Sequence, residues 1–196
     1  MKSQIIQKYP IVYFGRLVKS KGVETIIEAV YILARHQMEL VPPLWIVGGN
    51  FNEIGQIKGN PNYVKMISFL EKNNLLFWWG QLPHEILPYV LYRCSIFCFT
   101  SKYEPGGRTI LEAMASGLVV LASPHGLAEE IIQDGYNGFI VKNNTPKSWA
   151  KKLEFILQEP DLCKMVGEQS RQTIKNKFSN KHFQEKHWNI YHPFLS

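Results

Sequence analysis

Glu104 and Glu112 stand eight positions apart in the run Glu104-Pro105-Gly106-Gly107-Arg108-Thr109-Ile110-Leu111-Glu112, and an apolar helical pattern that stops at Gly117 begins between them. Two glycines at a helix start let backbone N–H groups come close to an anion, and a helix N-terminus attracts phosphate. A carboxylate on each side of such a site has the acceptors to hold sugar hydroxyls. The run therefore reads as a site for a sugar attached to a phosphate. Taken singly, each glutamate has a plainer account: Glu112 as an acid favoured by the helix dipole, Glu104 as a solvated loop acid or a partner for Arg108.

Two further segments have the same character. Gly15-Arg16-Leu17-Val18-Lys19-Ser20-Lys21-Gly22 follows an apolar run and places a guanidinium and an ammonium in one loop. Cations so placed can grip a diphosphate, or can be two ordinary surface charges. Ser123-Pro124-His125-Gly126 precedes Leu127-Ala128-Glu129-Glu130-Ile131 and reads as a glycine turn opening a helix. No G-x-x-x-x-G-K-[ST] and no G-x-G-x-x-G occurs, so neither a P-loop nor a dinucleotide fingerprint is present. The histidines show no metal-ligand spacing, and no G-x-S-x-G elbow appears, which removes the metalloenzyme and serine-hydrolase readings.

The elements that must carry these segments alternate along the chain. Apolar runs at 11–15, 44–49, 75–80, 95–100, 118–122 and 138–141 read as strands. Helical patterns follow over 23–35, 62–73, 83–93, 107–116 and 127–133, and then over 146–158, 161–177 and 180–191. Pro88 threatens a kink in the third element of this helical series, and the Gly/Asn-rich stretch 48–62 reads as a loop. Near-continuous apolar strands alternating with helices predict an α/β, Rossmann-like, doubly wound six-stranded parallel sheet in a single domain. Its ligand site is expected at the carboxyl ends of the strands.

Composition narrows the class. Of 196 residues 45% are hydrophobic, enough for a packed core, and the net charge is +6 with no dense basic block. Without such a block, nucleic acid is not an expected partner. Cys94, Cys98 and Cys163 are odd in number and form no C-x-x-C, which favours a reducing compartment and buried apolar thiols. No run approaches the ~20 apolar residues needed to cross a bilayer, and the first residues lack a signal-peptide core. The expected location is the cytoplasm, with attachment to the inner face of a membrane as a further expectation.

The order G-R-L-x-x-x-K-G, then E-P-x-G-x-x-x-L-E-A-M-A-x-G, then a glycine turn before an E-x-I helix resembles retaining glycosyltransferases of the GT-B fold. It is most similar to glycosyltransferase family 4 (glycosyl transferases group 1), from about residue 11 to the closing segment Phe178-Ser179 to Tyr191. The resemblance implies transfer of a hexose from a nucleoside-diphosphate sugar to a saccharide, lipid or protein acceptor. It implies catalytic roles for Arg16, Lys21 and Glu104: the cations meet the diphosphate, and Glu104 faces the donor sugar. Gly15, Arg16, Lys21, Gly106, Gly107, Arg108, Thr109 and Glu112 are the implied donor-binding set, with Glu112 on the ribose. The strand end at Trp78, Trp79 and Gly80 is implied to lie beside the base. No metal and no cofactor is implied.

Three positions depart from the family pattern. Gly106 stands where a bulky residue is usual, Arg108 is an unusual cation beside the diphosphate, and His125-Gly126 replaces a glycine pair. The resemblance covers only the C-terminal, donor-binding half of a GT-B enzyme. Residues 1–196 are then one nucleotide-sugar-binding domain ending in the helices over 146–191. The N-terminal acceptor domain is absent or supplied by a partner subunit. Such a chain is expected to bind donor and to turn over poorly by itself. Phe183, Trp188 and Tyr191 then either pack on the sheet or form an exposed patch. The alternative is a non-catalytic binding or interaction module of the same fold.

Overall fold

A computed structural model of the chain describes residues 9–103, 106–178 and 188. The strands β1 (Ile11–Phe14), β2 (Leu44–Val47), β3 (Leu76–Gly80), β4 (Ile96–Phe99), β5 (Val119–Ala122) and β6 (Phe139–Ile140) pair in parallel in the order β3-β2-β1-β4-β5-β6. The chain thus builds outward from β1 to β3, returns to the middle, and builds the other way from β4 to β6. This is the doubly wound arrangement that the alternation predicts.

Both faces of the sheet are covered, which is why the strands are apolar at nearly every position. Ile11, Tyr13, Leu44, Ile46, Ile96 and Cys98 point to one core, with α1 (Val23–Gln37), α3 (Val64–Lys72) and α7 (Pro146–Gln158). The alternate residues Val12, Phe14, Val47, Phe97 and Phe99 point to the other, with α4 (Leu87–Leu91), α5 (Arg108–Ala115) and α6 (Leu127–Ile131). The remaining helices, α2 (Phe51–Lys58) and α8 (Pro160–Lys177), add Ile57 and Val166 to the first core. All three cysteines are free thiols; burial pushes Cys94 up to about 12 and Cys163 up to about 11, and raises Cys98 as well. They behave as small apolar side chains.

Three elements differ from the sequence expectation. The stretch 48–62 contains α2, which a capping box starts: the Glu53 amide donates to Asn50 Oδ1 at 3.0 Å, and the Asn50 amide donates to Glu53 Oε2 at 2.8 Å. Helix α4 is confined to Leu87–Leu91, because Pro88 falls in its first turn, where no N–H is required, and so starts the helix instead of kinking it. Strand β6 shrinks to two residues. The expected helix over 180–191 lies outside the described residues except for Trp188, which is helical and exposed; Phe183 and Tyr191 lie outside them too.

Candidate functional site

Neighbouring strands β1 and β4 send their chains in opposite directions, so the loops at their carboxyl ends diverge and leave a crevice. The crevice has two lobes. The first, about 460 Å³, is lined by Gly15, Arg16, Lys21, Thr100, Ser101, Gly106, Gly107, Arg108 and Thr109. The second, about 490 Å³, is lined by Gly48, Gly49, Asn50, Glu53, Gln81, Leu82, His84 and Leu87. Phe14, Gly15 and Arg16 belong to both.

Hydrogen bonds to backbone carbonyls hold the two loops of the first lobe. The Thr100 hydroxyl donates to the Lys21 carbonyl at 2.8 Å, and the Lys102 amide donates to the Ser20 carbonyl at 2.7 Å. The Tyr13 hydroxyl donates to the Arg16 carbonyl at 2.8 Å. The approach is so close that a Cβ on Gly22 would lie 2.6 Å from the Thr100 carbonyl oxygen, and Gly22 has φ +66°. Glycine is therefore required there, which explains the K-G pair that ends the loop. Gly107 caps α5 at φ +85° with Leu127 of α6 packed against it. The turn it makes places the start of α5, at Arg108 and Thr109, in the wall of the lobe. The first amides of α5 have no partner within the helix, and with Arg16, Lys21 and Arg108 they give this lobe the groups that suit an anion.

Glu112 lies on the second turn of α5 and lines neither lobe, but His84 Nε2, which lines the second, is 4.0 Å from Glu112 Oε1. Burial raises the Glu112 carboxyl above its ordinary value, against the pull of His84 and Arg108 downward. A group whose folded pKa is raised stabilises the fold most below its unfolded pKa and loses that contribution as pH rises through the folded value. The ionised Glu112 is thus held at a cost at neutral pH. Glu112→Gln should raise the unfolding midpoint at pH 7 and lose that advantage below pH ~4, where the native carboxyl is protonated. Thermal melts across that range check it.

The structure brings Gly15, Arg16, Lys21, Gly106, Gly107, Arg108 and Thr109 to one lobe, with Glu112 beside its neighbour. Glu104 lies outside the described residues. Ser123 ties β5 to β4 by donating to the Phe99 and Ser101 carbonyls, and His125 lines neither lobe. At the end of β3 the tryptophans turn away: Trp78 donates to Glu71 at 2.9 Å, and Trp79 packs on Trp45. Gln81, Leu82 and His84 face the crevice in their place. Sequence reasoning missed these three, and also Asn50 and Glu53, although an N-x-x-E pattern marks the last two as a helix start. Among the described residues no cluster of His, Cys, Asp or Glu is arranged to hold a metal ion, and no helix is long and apolar enough to cross a membrane.

A doubly wound sheet with a cationic, glycine-lined crevice at its switch point defines a Rossmann-type domain. The chain belongs to the family of glycosyl transferases group 1, whose family model matches residues 2–173. It is 30% identical over 184 residues to an uncharacterised glycosyltransferase of Methanocaldococcus jannaschii, covering 92% of this chain and 44% of that protein. It therefore spans about half the length of the curated relatives it matches. Among solved structures it resembles HepE of Anabaena in complex with UDP, with a TM-score of 0.74, 23% identity, and coverage of 91% of this chain and 48% of that one. It also resembles the C-terminal domain of the group 1 protein LpcC from Francisella tularensis, with a TM-score of 0.73, 22% identity, and coverage of 88% and 87%.

Proposed function

We propose that this chain is the C-terminal, donor-binding domain of a retaining GT-B glycosyltransferase of family 4, and that residues 1–196 form that one domain. It holds a nucleoside-diphosphate hexose, which the whole enzyme transfers to a saccharide, lipid or protein acceptor. The observation that carries this reading is the pairing of two unlike lobes through Arg16. The cationic lobe suits the diphosphate. The other offers Asn50, Glu53, Gln81, His84 and, beside it, Glu112, which suit the hydroxyls and edges of a nucleoside. The crystallised complex of HepE with UDP, and the near-complete overlap with an isolated C-terminal domain, support it.

In this reading Arg16 and Lys21 neutralise the departing diphosphate, the α5 N-terminus adds its dipole, Glu112 holds the ribose and Glu104 faces the sugar. Fixed cations and amides carry the leaving-group charge, so neither metal nor cofactor is assigned. The acceptor site belongs to a second domain or a partner subunit. The three free thiols support a cytoplasmic setting.

Calorimetric titration with UDP, GDP and ADP tests the donor site. One of them should bind, and Glu112→Gln should weaken it by about tenfold, the worth of a hydrogen bond to a charged group. A folded protein that binds none of the three would leave the interaction-module reading in its place. With donor and acceptor supplied, this chain alone should transfer little sugar, and robust turnover would show that no second domain is needed.

A further inference from the structure

Lys21 is held from a distance. Trp149 on α7 is fully buried, and its indole N–H donates to Asn144 Oδ1 at 2.7 Å. The Asn144 amide donates in turn to the Thr100 carbonyl at 3.2 Å, and the Thr100 hydroxyl donates to the Lys21 carbonyl at 2.8 Å. Thr100 is fully buried, with its carbonyl facing both Asn144 and the space that a Gly22 side chain would need. Asn144 is half-buried between exposed Asn143 and Thr145.

We infer that Asn144 is a positioning residue: anchored by Trp149, it fixes Thr100 and, through Thr100, sets where Lys21 meets a diphosphate. The inference rests on the donor reading for its ligand but not for its geometry. Asn144 uses both ends of its amide, one as acceptor and one as donor. A buried indole N–H requires the first, and the carbonyl at the strand end takes the second. Aspartate in its place would set an acceptor against the Thr100 carbonyl, and alanine would leave both partners unmet. The phosphate-binding loop is therefore braced from the far side of β4 by a residue that touches no ligand.

The test is a double-mutant cycle with inorganic pyrophosphate, which needs no base contact. Lys21→Ala should weaken pyrophosphate by about tenfold and Asn144→Ala by about fivefold, the range for removing or misplacing one charge-assisted hydrogen bond. The double variant should bind no more than about twofold more weakly than Lys21→Ala alone, because residues acting through one interaction do not add. Wild-type binding by Asn144→Ala, or effects that multiply to about fiftyfold, would overturn the inference.

Hydrogen exchange on the ligand-free protein gives an arm independent of the ligand. Asn144→Ala should speed exchange of the Lys21 amide, which donates to the Val18 carbonyl at 2.8 Å, and leave β2 unchanged. Trp149→Phe, which removes the indole donor and keeps an aromatic ring in the core, should do so in the same direction and stands in if Asn144→Ala folds poorly. Unchanged exchange in both variants overturns the relay. Faster exchange in the variants, with no pyrophosphate bound by the wild-type protein, would uphold the relay and reject the donor reading.

Discussion

Arg16→Ala should weaken nucleoside-diphosphate binding by about a hundredfold and leave the unfolding midpoint where it is. Arg16 is exposed and lines both lobes. Among the described residues no carboxylate is ion-paired with it, so alanine there breaks no ion pair among them. Its local role in the fold runs through its carbonyl, which accepts from Tyr13 and survives the substitution. A guanidinium that grips phosphate oxygens through two N–H groups contributes about 2–3 kcal/mol, which is about a hundredfold in affinity. Arg16→Lys should recover only part of it, because an ammonium keeps the charge and loses the fork. Raising the salt should narrow the gap between wild type and variant, since the crevice is open to solvent. Calorimetry with the nucleotide that binds decides: equal affinity in Arg16→Ala would remove this residue from the site and, with it, the link between the lobes.

The parts of the molecule that the sequence disclosed are those written in local patterns. A strand covered on both faces must be apolar at successive positions, so Ile11–Phe14 and Ile96–Phe99 stand out from the chain around them. The loops after them inherit their place at the carboxyl edge, and the cations and glycines of the first lobe follow. Helix α2 was hidden because it buries only Ile57 and is set by its caps, not by an apolar face. His84 was hidden for a different reason. Nothing near it in the chain marks it, and its approach to Glu112 arises only when the loop after β3 is laid across α5. The link from Trp149 to Lys21 is more remote still, joining residues 44 and 79 positions apart through side chains that each look ordinary. Pairings of this kind have no period and no motif.

Trp149→Ala should be the most damaging single change in the core, lowering the unfolding midpoint by about 10 °C. Trp149 is the largest fully buried side chain among the described residues, and it projects from α7 into the core shared with the sheet and α1. Cutting an indole to a methyl loses its transfer free energy and leaves a cavity, which together cost about 3–5 kcal/mol. For a chain of this size each kcal/mol moves the midpoint by about 2–4 °C. The same change removes the donor to Asn144 Oδ1, but Asn144 is only half-buried, so that loss costs little stability beside the cavity in the core. Trp149→Phe separates the two effects. It keeps an aromatic ring in the core and removes the donor, so it should cost about 1–2 kcal/mol in stability while still loosening the Lys21 loop. A midpoint in Trp149→Ala within a degree or two of wild type would mean that the α1–α7 core is not built on this side chain. The expected result, a large stability loss in Trp149→Ala and a small one in Trp149→Phe with faster exchange at Lys21, would mean that one residue serves two ends, with its ring holding α7 to the sheet and its single polar atom holding the Lys21 loop in register.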